Sequence, residues 1–194
     1  LVGSEMCIRD SYISDDAPAK LSDAKDLFYD QDNDTFWVCD SGNNRILRLD
    51  TDLKVTGCYT GFTGSTEISV GEDGRSTFLN PNGIYVKKSI FDDKLYVYIA
   101  DTDNSRAVKC TVESGTEMTL VQEYTKPDTK LYDSETFNPS KILADKAENI
   151  YVVCKSVNTG SVQFNKDGEF QGFYGANRVE VTAAVVAQKL WRKI

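Results

Sequence analysis

One sequence phrase occurs three times along the chain: an apolar strand, a short polar turn, a second apolar strand and a further turn. The copies read DAKDLFYDQDNDTFWVCDSGNNRILRLD from Asp23, NPNGIYVKKSIFDDKLYVYIADTDNSRAVKC from Asn80 and NPSKILADKAENIYVVCKSVNTGSVQFNKDGEF from Asn138. Pro81 and Pro139 are 58 residues apart, a period that suits a unit of four strands and a linker. This internal repetition constrains the fold more than any single residue does.

Each copy contains four short runs that are rich in aromatic and β-branched residues and are separated by Asp, Asn and Gly. The predicted strands are Lys25–Asp30, Thr35–Asp40, Asn44–Asp50 and Lys54–Thr60, then Asn82–Lys87, Lys94–Asp101, Ser105–Val112 and Met118–Tyr124, then Ser140–Asp145, Asn149–Cys154, Gly160–Asn165 and Glu169–Phe173. Because each copy includes a strand that is apolar on both faces, each sheet must bury both faces. We therefore predict an all-β fold, a partial β-propeller of about three four-stranded antiparallel blades.

The ends of the chain differ from the repeats. Residues 1–10, LVGSEMCIRD, resemble the translated end of a sequencing-library adapter, so residues 1–11 are expected to be an artefact. The partial propeller is predicted over 12–177, with blades at about 23–60, 80–125 and 138–174. Val181–Ile194 has apolar residues at helical spacing, which predicts a truncated helical segment over 178–194. We expect the chain to be a fragment of a longer protein.

Charge and hydropathy exclude two classes of partner. The net charge is −8 and the sequence pI is about 4.6, with no run of Lys or Arg. Such a surface repels nucleic acid and anionic membranes, so nucleic acid is not an expected partner. No stretch reaches the roughly 18 apolar residues that a membrane-spanning helix needs, so no membrane insertion is expected in this chain.

The turns DSGNNR and DTDNSR are the most specific local motif. Their Asp side chains are expected to accept bonds from backbone amides, while Gly42 or Asp103, with the following Asn, adopts the left-handed conformation. We predict that the arginines reach a carbonyl or carboxylate of a neighbouring blade. The predicted structural residues are Asp40, Asn43, Arg45, Asp101, Asn104 and Arg106. In the third copy Cys154 and Thr159 stand at the aspartate and arginine positions, so the arginine bond between blades is expected to be absent there.

Neither the acidic turn that begins at Asp30 nor the cysteines predict a metal site. The turn resembles the start of an EF-hand loop, but Thr35 replaces the required glycine and Ser41 the bidentate glutamate. A hairpin turn is the better interpretation. The cysteines of the repeats lack CxxC spacing and lie in strand patterns, which favours buried small hydrophobic residues over disulfides or ligands. They are Cys39, Cys58, Cys110 and Cys154.

The phrases GIYV, YVYIADTDNSR and the LD exit resemble the blades of NHL-repeat β-propellers. In bacterial secreted members of that family a phrase similar to GFYGANRV ends such a blade, and a helical insertion with a motif similar to Trp191–Lys193 follows. The resemblance implies six blades, often followed by TPR-like repeats. It also implies that the protein is extracellular or lies in the cell envelope.

The chain contains no histidine, and no GxSxG, HExxH or phosphate-binding glycine loop is present. The sequence therefore favours a non-enzymatic binding module without a cofactor, although the fold itself does not decide this. Its ligand, an unidentified small molecule, glycan or protein, is expected at the axial face where the inner strands begin. Lys25, Asn82 and Lys141 occupy comparable positions there and are the candidate ligand-binding residues.

Two alternatives remain open. A calcium-dependent lactonase or related hydrolase would gather carboxylate and amide oxygens from several blades around one cation. A protein–protein scaffold would instead use the edges of the blades. In every case the missing blades of the same protein are expected partners, and without them the outermost sheets should expose apolar faces and promote aggregation or dimerisation.

Overall fold

The computed structural model describes residues 20–64, 75–132, 134–155, 157 and 160–175. These residues form fourteen β-strands and one 3₁₀ turn, Ser41–Asn43, which confirms the predicted all-β fold. Strands β1 to β14 are Asp26–Asp30, Thr35–Asp40, Arg45–Leu49, Val55–Tyr59, Gly61–Thr63, Arg75–Thr77, Pro81–Lys88, Leu95–Asp101, Arg106–Val112, Met118–Tyr124, Pro139–Ala144, Ile150–Cys154, Ser161–Phe164 and Phe170–Tyr174. The adapter-like residues 1–11 and the predicted helical segment 178–194 lie outside the described residues.

The strands form three antiparallel meanders that follow one another along the chain. Sheet 1 has the order β1-β2-β3-β4, and sheet 3 has the order β11-β12-β13-β14. Sheet 2 has the order β7-β8-β9-β10 and is extended at its outer edge by β5 and β6. The first strand of sheet 2, β7, packs against both β1 and β11, as expected for inner strands around a common axis. The fold is therefore a partial β-propeller.

The strand ladders align the three sheets residue by residue. One row across sheet 1 contains Asp26, Cys39, Ile46 and Tyr59. The equivalent row contains Gly83, Ala100, Ala107 and Tyr124 in sheet 2, and Lys141, Val153, Ser161 and Tyr174 in sheet 3. We call the face that carries this row the leading face of each sheet, and the opposite face the trailing face.

Each interface joins the leading face of one sheet to the trailing face of the next. Trp37 and Ile46 of sheet 1 pack in one buried cluster with Ile99 of sheet 2. Tyr98 of sheet 2 packs in a second cluster with Val152 of sheet 3. Because sheet 2 is covered on both faces, its central strands are buried almost throughout, as their continuously apolar sequence predicts.

A buried ion pair crosses the interface between sheets 2 and 3. Lys109 Nζ in β9 lies 2.7 Å from Glu148 Oε2, in the turn before β12, and both side chains are buried. The same ammonium lies 3.8 Å from the ring centroid of Tyr96, a cation–π distance. Although burial raises the pKa of Glu148, hydrogen bonds from Lys109 and Ser89 lower it overall, so the carboxylate stays charged opposite the lysine.

The sequence did not predict the hairpin formed by β5 and β6. It belongs to the segment that connects sheets 1 and 2, and its two strands pair antiparallel with Gly61 opposite Thr77. Thr63 in β5 also pairs in parallel with Thr119 of β10, which adds the hairpin to the outer edge of sheet 2. A Cβ at Gly61 would lie 2.1 Å from the Ser76 carbonyl oxygen, so this close approach requires glycine.

Gly83 permits the inner strands of sheets 2 and 3 to touch. A Cβ at this position would lie 2.8 Å from the Lys141 Cα atom and 2.8 Å from the Ser140 carbonyl oxygen. Both neighbours are backbone atoms, so neither can move away without shifting β11. The equivalent residue of sheet 1 is Asp26, whose side chain has the space that Gly83 lacks.

We expect Gly83→Ala to destabilise the protein by about 1–3 kcal/mol, because the added methyl overpacks the contact between β7 and β11. Thermal unfolding monitored by circular dichroism measures the effect. Gly115→Ala is the control, since its Cβ would meet only the Thr56 carbonyl oxygen at 3.1 Å. Equal melting temperatures for the two variants would contradict the close contact at Gly83.

Candidate functional site

Asp40 organises the DSGNNR turn from a fully buried position. Its Oδ1 accepts a hydrogen bond from the Ser22 backbone N–H at 2.7 Å. Its Oδ2 accepts bonds from Asn43 Nδ2 at 2.8 Å and Arg45 Nε at 2.6 Å. The left-handed residue is Asn44, with φ of 53°, and not Gly42 as the sequence suggested.

Asp101 repeats this arrangement in the DTDNSR turn. Its side chain accepts bonds from the Leu79 backbone N–H at 2.8 Å, Asn104 Nδ2 at 2.8 Å and Arg106 Nε at 2.8 Å. Here Ser105 is the left-handed residue, with φ of 52°. The predicted acceptance of backbone amide bonds therefore occurs at both aspartates, but the amides belong to the segment before each inner strand.

The arginines bind within their own sheet and its entry segment, whereas we predicted bonds to a neighbouring blade. Arg45 Nη2 donates to the Lys20 carbonyl at 3.1 Å. Arg106 Nη2 donates to Ser76 Oγ at 2.6 Å and to the Thr77 carbonyl at 3.2 Å. The Asp–Arg pair thus fixes the chain that leads into each sheet onto the β2–β3 or β8–β9 hairpin.

Hydroxyl groups, whose role the sequence did not predict, bond two of the hairpins to the start of the next sheet's inner strand. Ser41 Oγ donates to the Pro81 carbonyl, and Thr102 Oγ1 donates to the Pro139 carbonyl at 2.6 Å. The sequence signal is a Ser or Thr directly after the buried aspartate and a proline at the start of the next inner strand. Sheet 3 has Lys155 at this position, so the hydroxyl bond has no equivalent there.

The third copy also lacks the aspartate, as predicted. Pro139 pairs with Cys154, which places Cys154 in register with Asp101, the partner of Pro81. The pKa of Cys154 is raised to about 12, mainly by burial, so its thiol is protonated and cannot replace a carboxylate. Thr159, the predicted replacement for the arginine, lies outside the described residues.

We expect Arg106→Met to destabilise the protein by about 3–5 kcal/mol, because it leaves the buried Asp101 carboxylate without its cation. Urea unfolding measures this loss. Lys166→Met is the matched control, since Lys166 pairs with Asp167 at 2.6 Å on an exposed turn. That substitution should leave the free energy of unfolding almost unchanged, because exposed ion pairs contribute little. A similar small cost for Arg106→Met would show that the buried pair does not fix the turn.

Glu123 is a buried carboxylate with poor pairing. Neither carboxylate oxygen has a hydrogen bond, and the nearest cation, Arg106 Nη1, lies 3.7 Å from Oε1. Burial is the largest influence on the pKa of Glu123, and it raises that pKa although Arg106 lowers it. A raised pKa in the folded state means that stability is lost as the pH rises and the carboxyl group ionises.

We therefore expect Glu123→Gln to raise the melting temperature at pH 7–8, because the amide removes a buried charge and keeps the shape of the side chain. The gain should fade as the pH falls towards the ordinary glutamate pKa of 4.5, where both side chains become neutral. Calorimetry over this pH range measures the difference. A gain that does not depend on pH would contradict the ionisation argument.

The three candidate ligand-binding residues lie at the adjacent starts of the inner strands but differ in burial. Asn82 is buried, and its Nδ2 donates to Thr102 Oγ1 at 2.7 Å. Lys25 and Lys141 are largely exposed, and Lys141 Nζ lies 3.4 Å from the Lys25 carbonyl oxygen. The ladders place Lys141 in the row of Asp26 and Gly83, one position further along than Lys25 and Asn82.

Lys141 forms an ion pair between sheets that are not adjacent. Its Nζ lies 2.5 Å from Asp26 Oδ1 of sheet 1, across the inner strand of sheet 2. The other oxygen, Asp26 Oδ2, accepts a bond from the Ile84 backbone N–H at 2.9 Å. Gly83 has no side chain, so the ammonium and the carboxylate can meet over it. Lys25 contributes only its backbone carbonyl, because its Nζ pairs with Asp23 Oδ1 at 2.6 Å. We call Asp26 and Lys141, together with the Lys25 carbonyl, the axial cluster.

Other chemically active groups in the described part of the chain are buried or hydrogen-bonded within turns. Cys39, Cys110 and Cys154 are free and buried, and burial raises the pKa of each thiol. Cys58 is also buried but is disulfide-bonded, contrary to the prediction for it. Asp30 accepts bonds from the Asp32 N–H at 3.2 Å and Asn33 Nδ2 at 2.8 Å, as a hairpin turn requires.

Neither a metal-binding group nor a membrane-spanning helix occurs among the described residues. No group of three or more His, Cys, Asp or Glu residues there is placed to hold a metal ion. No helix among them has the length and apolar composition needed to cross a membrane.

No protein-family model matches the chain, and no curated protein is similar to it. Among solved structures, Kuenenia stuttgartiensis hydrazine synthase aligns with a TM-score of 0.51 and 11% identity, over 83% of this chain and 39% of that one. A catalytically inactive virginiamycin B lyase from Staphylococcus aureus aligns with a TM-score of 0.47 and 14% identity, over 80% of this chain and 42% of that one. A protein of unknown function from Desulfotomaculum acetoxidans aligns with a TM-score of 0.47 and 13% identity, over 80% of this chain and 42% of that one.

The chain thus spans less than half the length of each of these proteins. At such low identity the similarity concerns the fold alone. The described part of the chain is a partial β-propeller of three sheets.

Proposed function

We propose that this chain is part of an NHL-type, six-bladed β-propeller of the bacterial envelope or extracellular space, and that it binds a ligand without chemical turnover. The axial cluster is the observation that supports this function. Its two charged side chains, Asp26 of sheet 1 and Lys141 of sheet 3, meet above the inner strand of sheet 2 and remain partly exposed. Such convergence at one end of the axis is how a rigid ring can hold one ligand with several repeats.

The charges of the axial cluster favour a polar ligand. Lys141 has half of its side-chain surface exposed, whereas Asp26 is only 20% exposed. A ligand that accepts hydrogen bonds can therefore reach the ammonium while the carboxylate keeps it in position. A glycan, a polar small molecule or a protein segment has such acceptors, whereas the net charge of −8 disfavours nucleic acid.

The state of the other ionisable groups supports binding rather than catalysis. Asp40 and Asp101 already accept several hydrogen bonds each, so they have little capacity left for a substrate. The buried thiols hold their protons because their pKa values are raised. The sequence has no histidine that could act as a general base.

We expect Lys141→Ala in the complete protein to weaken binding at least about tenfold, the loss typical of one charge-assisted hydrogen bond. The measurement is binding to an immobilised panel of neutral oligosaccharides, acidic oligosaccharides and short peptides. Lys166→Ala is the control, because this lysine is as exposed as Lys141 and lies on a turn of the same sheet. Equal binding by wild type and Lys141→Ala would reject the axial cluster as the ligand site.

Turnover assays separate this function from a lactonase. The complete protein should hydrolyse neither γ- nor δ-lactones, with or without added calcium. If the complete protein hydrolyses a lactone and Lys141→Ala or Asp26→Asn abolishes that activity, the non-enzymatic proposal is wrong. The axial cluster would then be the active site of a hydrolase.

A further inference from the structure

Two large apolar side chains are exposed on the turn between β7 and β8. Ile90 is 70% exposed and Phe91 is 65% exposed. They belong to the middle sheet, which is covered on both faces, so their exposure does not come from a missing neighbour. The corresponding turns of sheets 1 and 3 read QDND, from Gln31, and DKAEN, from Asp145, and contain no large apolar residue. The exposed pair is therefore specific to sheet 2.

The β7–β8 turn lies at the end of the propeller opposite the axial cluster, which we call the turn end. Lys87 Nζ, near the end of β7, donates to the Asp145 carbonyl in the equivalent turn of sheet 3, so the two turns are neighbours. Beyond the row of Asp26, Gly83 and Lys141, the inner strands continue for four, five and three residues. Sheet 2 thus extends furthest towards the turn end.

Hydrogen bonds hold the β7–β8 turn in one conformation. The Ser89 N–H donates to the Lys94 carbonyl at 2.8 Å, and the Phe91 N–H donates to Ser89 Oγ at 3.1 Å. Asp92 accepts bonds from the Tyr96 hydroxyl at 2.5 Å and from the Lys94 N–H at 3.2 Å. Because the turn is already ordered, a partner that covers its apolar side chains loses little affinity to the ordering of the backbone.

The turn end is strongly acidic. Its six turns contain thirteen Asp or Glu residues and four Lys residues, in the segments 30–34, 50–54, 89–94, 113–117, 145–149 and 165–169. Such a surface attracts a basic partner, because opposite charges steer and orient the encounter. It repels an anionic membrane and also a second copy of this chain, which has the same net charge of −8. A neutral bilayer offers no opposite charge.

We propose that Ile90 and Phe91 anchor a partner protein at the turn end, and that the partner receives them in an apolar pocket rimmed by Lys or Arg. A few large side chains that become fully buried supply most of the binding energy of a protein interface. Beside them, Asp93 pairs with Lys88 at 2.8 Å, but 86% of the Asp93 side chain is exposed and can face a basic rim. The proposal does not depend on ligand binding at the axial cluster.

Binding of synthetic amphipathic helices to the complete protein tests the chemistry of the partner. A Leu–Lys peptide, whose apolar face is bordered by ammonium groups, should bind, and added salt should weaken its binding because it screens the carboxylates. A Leu–Glu peptide of equal length and vesicles of phosphatidylcholine should not bind. Equal binding of the two peptides, binding that does not respond to salt, or binding to the vesicles would overturn the proposal.

Variants of the complete protein locate the binding site. Ile90→Ser combined with Phe91→Ser should weaken binding of the Leu–Lys peptide about thirtyfold, the loss typical of an interface hot spot. Leu131→Ser is the matched control and should leave binding unchanged, because Leu131 is also 70% exposed but lies outside the turn end. Equal effects of the double variant and the control would overturn the proposal.

The melting temperature of the double variant is a second measurement on the same proteins. It should stay within about 1 °C of the wild type, because both substituted side chains are exposed. A larger decrease would show that another part of the same protein covers the pair, and it would overturn the proposal.

Photo-cross-linking in cells that produce the complete protein identifies the occupant. With Phe91→p-benzoylphenylalanine we expect a cross-link to a different, basic protein, and adding Ile90→Ser should abolish it. The same photo-reactive residue at Leu131 is the control and should not capture that protein. The proposal is wrong if the residue at position 91 captures lipid, a second copy, another segment of its own chain, or nothing.

Discussion

A sheet that is apolar on both faces must be covered on both faces, and the structure depends on this constraint. Trp37, Tyr98 and Tyr151 occupy one position in three sheets, and the first two are buried by the sheet that follows. Packing of this kind is repetitive: the leading face of one sheet always meets the trailing face of the next. The repeated interface gives the stack its direction and brings all three inner strands to one axis.

Polar groups fix the positions of the sheets relative to one another, which hydrophobic packing alone does not determine. Asp40 and Asp101 each bind their hairpin arginine and the entry segment, so the chain enters each sheet at a fixed position. The hydroxyl groups of Ser41 and Thr102 then fix the inner strand of the next sheet. Neither interaction occurs in sheet 3, where Cys154 and Lys155 stand in place of the aspartate and the hydroxyl residue.

Much of the fold could be predicted because strand period, turn residues and repetition are local signals. The predicted strands differ from the observed ones by at most one residue at either end. The β5–β6 hairpin was missed because its pairing with β10 is parallel and distant in sequence. The targets of the arginines and the equivalence of Lys141 with Gly83 were also missed. The arginine targets lie 25 to 30 residues earlier in the chain, where no local pattern indicates them. The aligned phrases NPNG and NPSK, in contrast, already place Lys141 level with Gly83.

The axial position tolerates the greatest chemical variation because it lies at the end of the repeated interface. Within one row, the positions on the second, third and fourth strands are buried between sheets 1 and 2 and between sheets 2 and 3. The position on the first strand carries a carboxylate, no side chain and an ammonium in successive sheets, Asp26, Gly83 and Lys141. Sheets 1 and 3 carry charged side chains there, whereas sheet 2 needs glycine for the close contact between β7 and β11. The glycine of sheet 2 therefore leaves room for the opposite charges of Asp26 and Lys141 to meet near the axis.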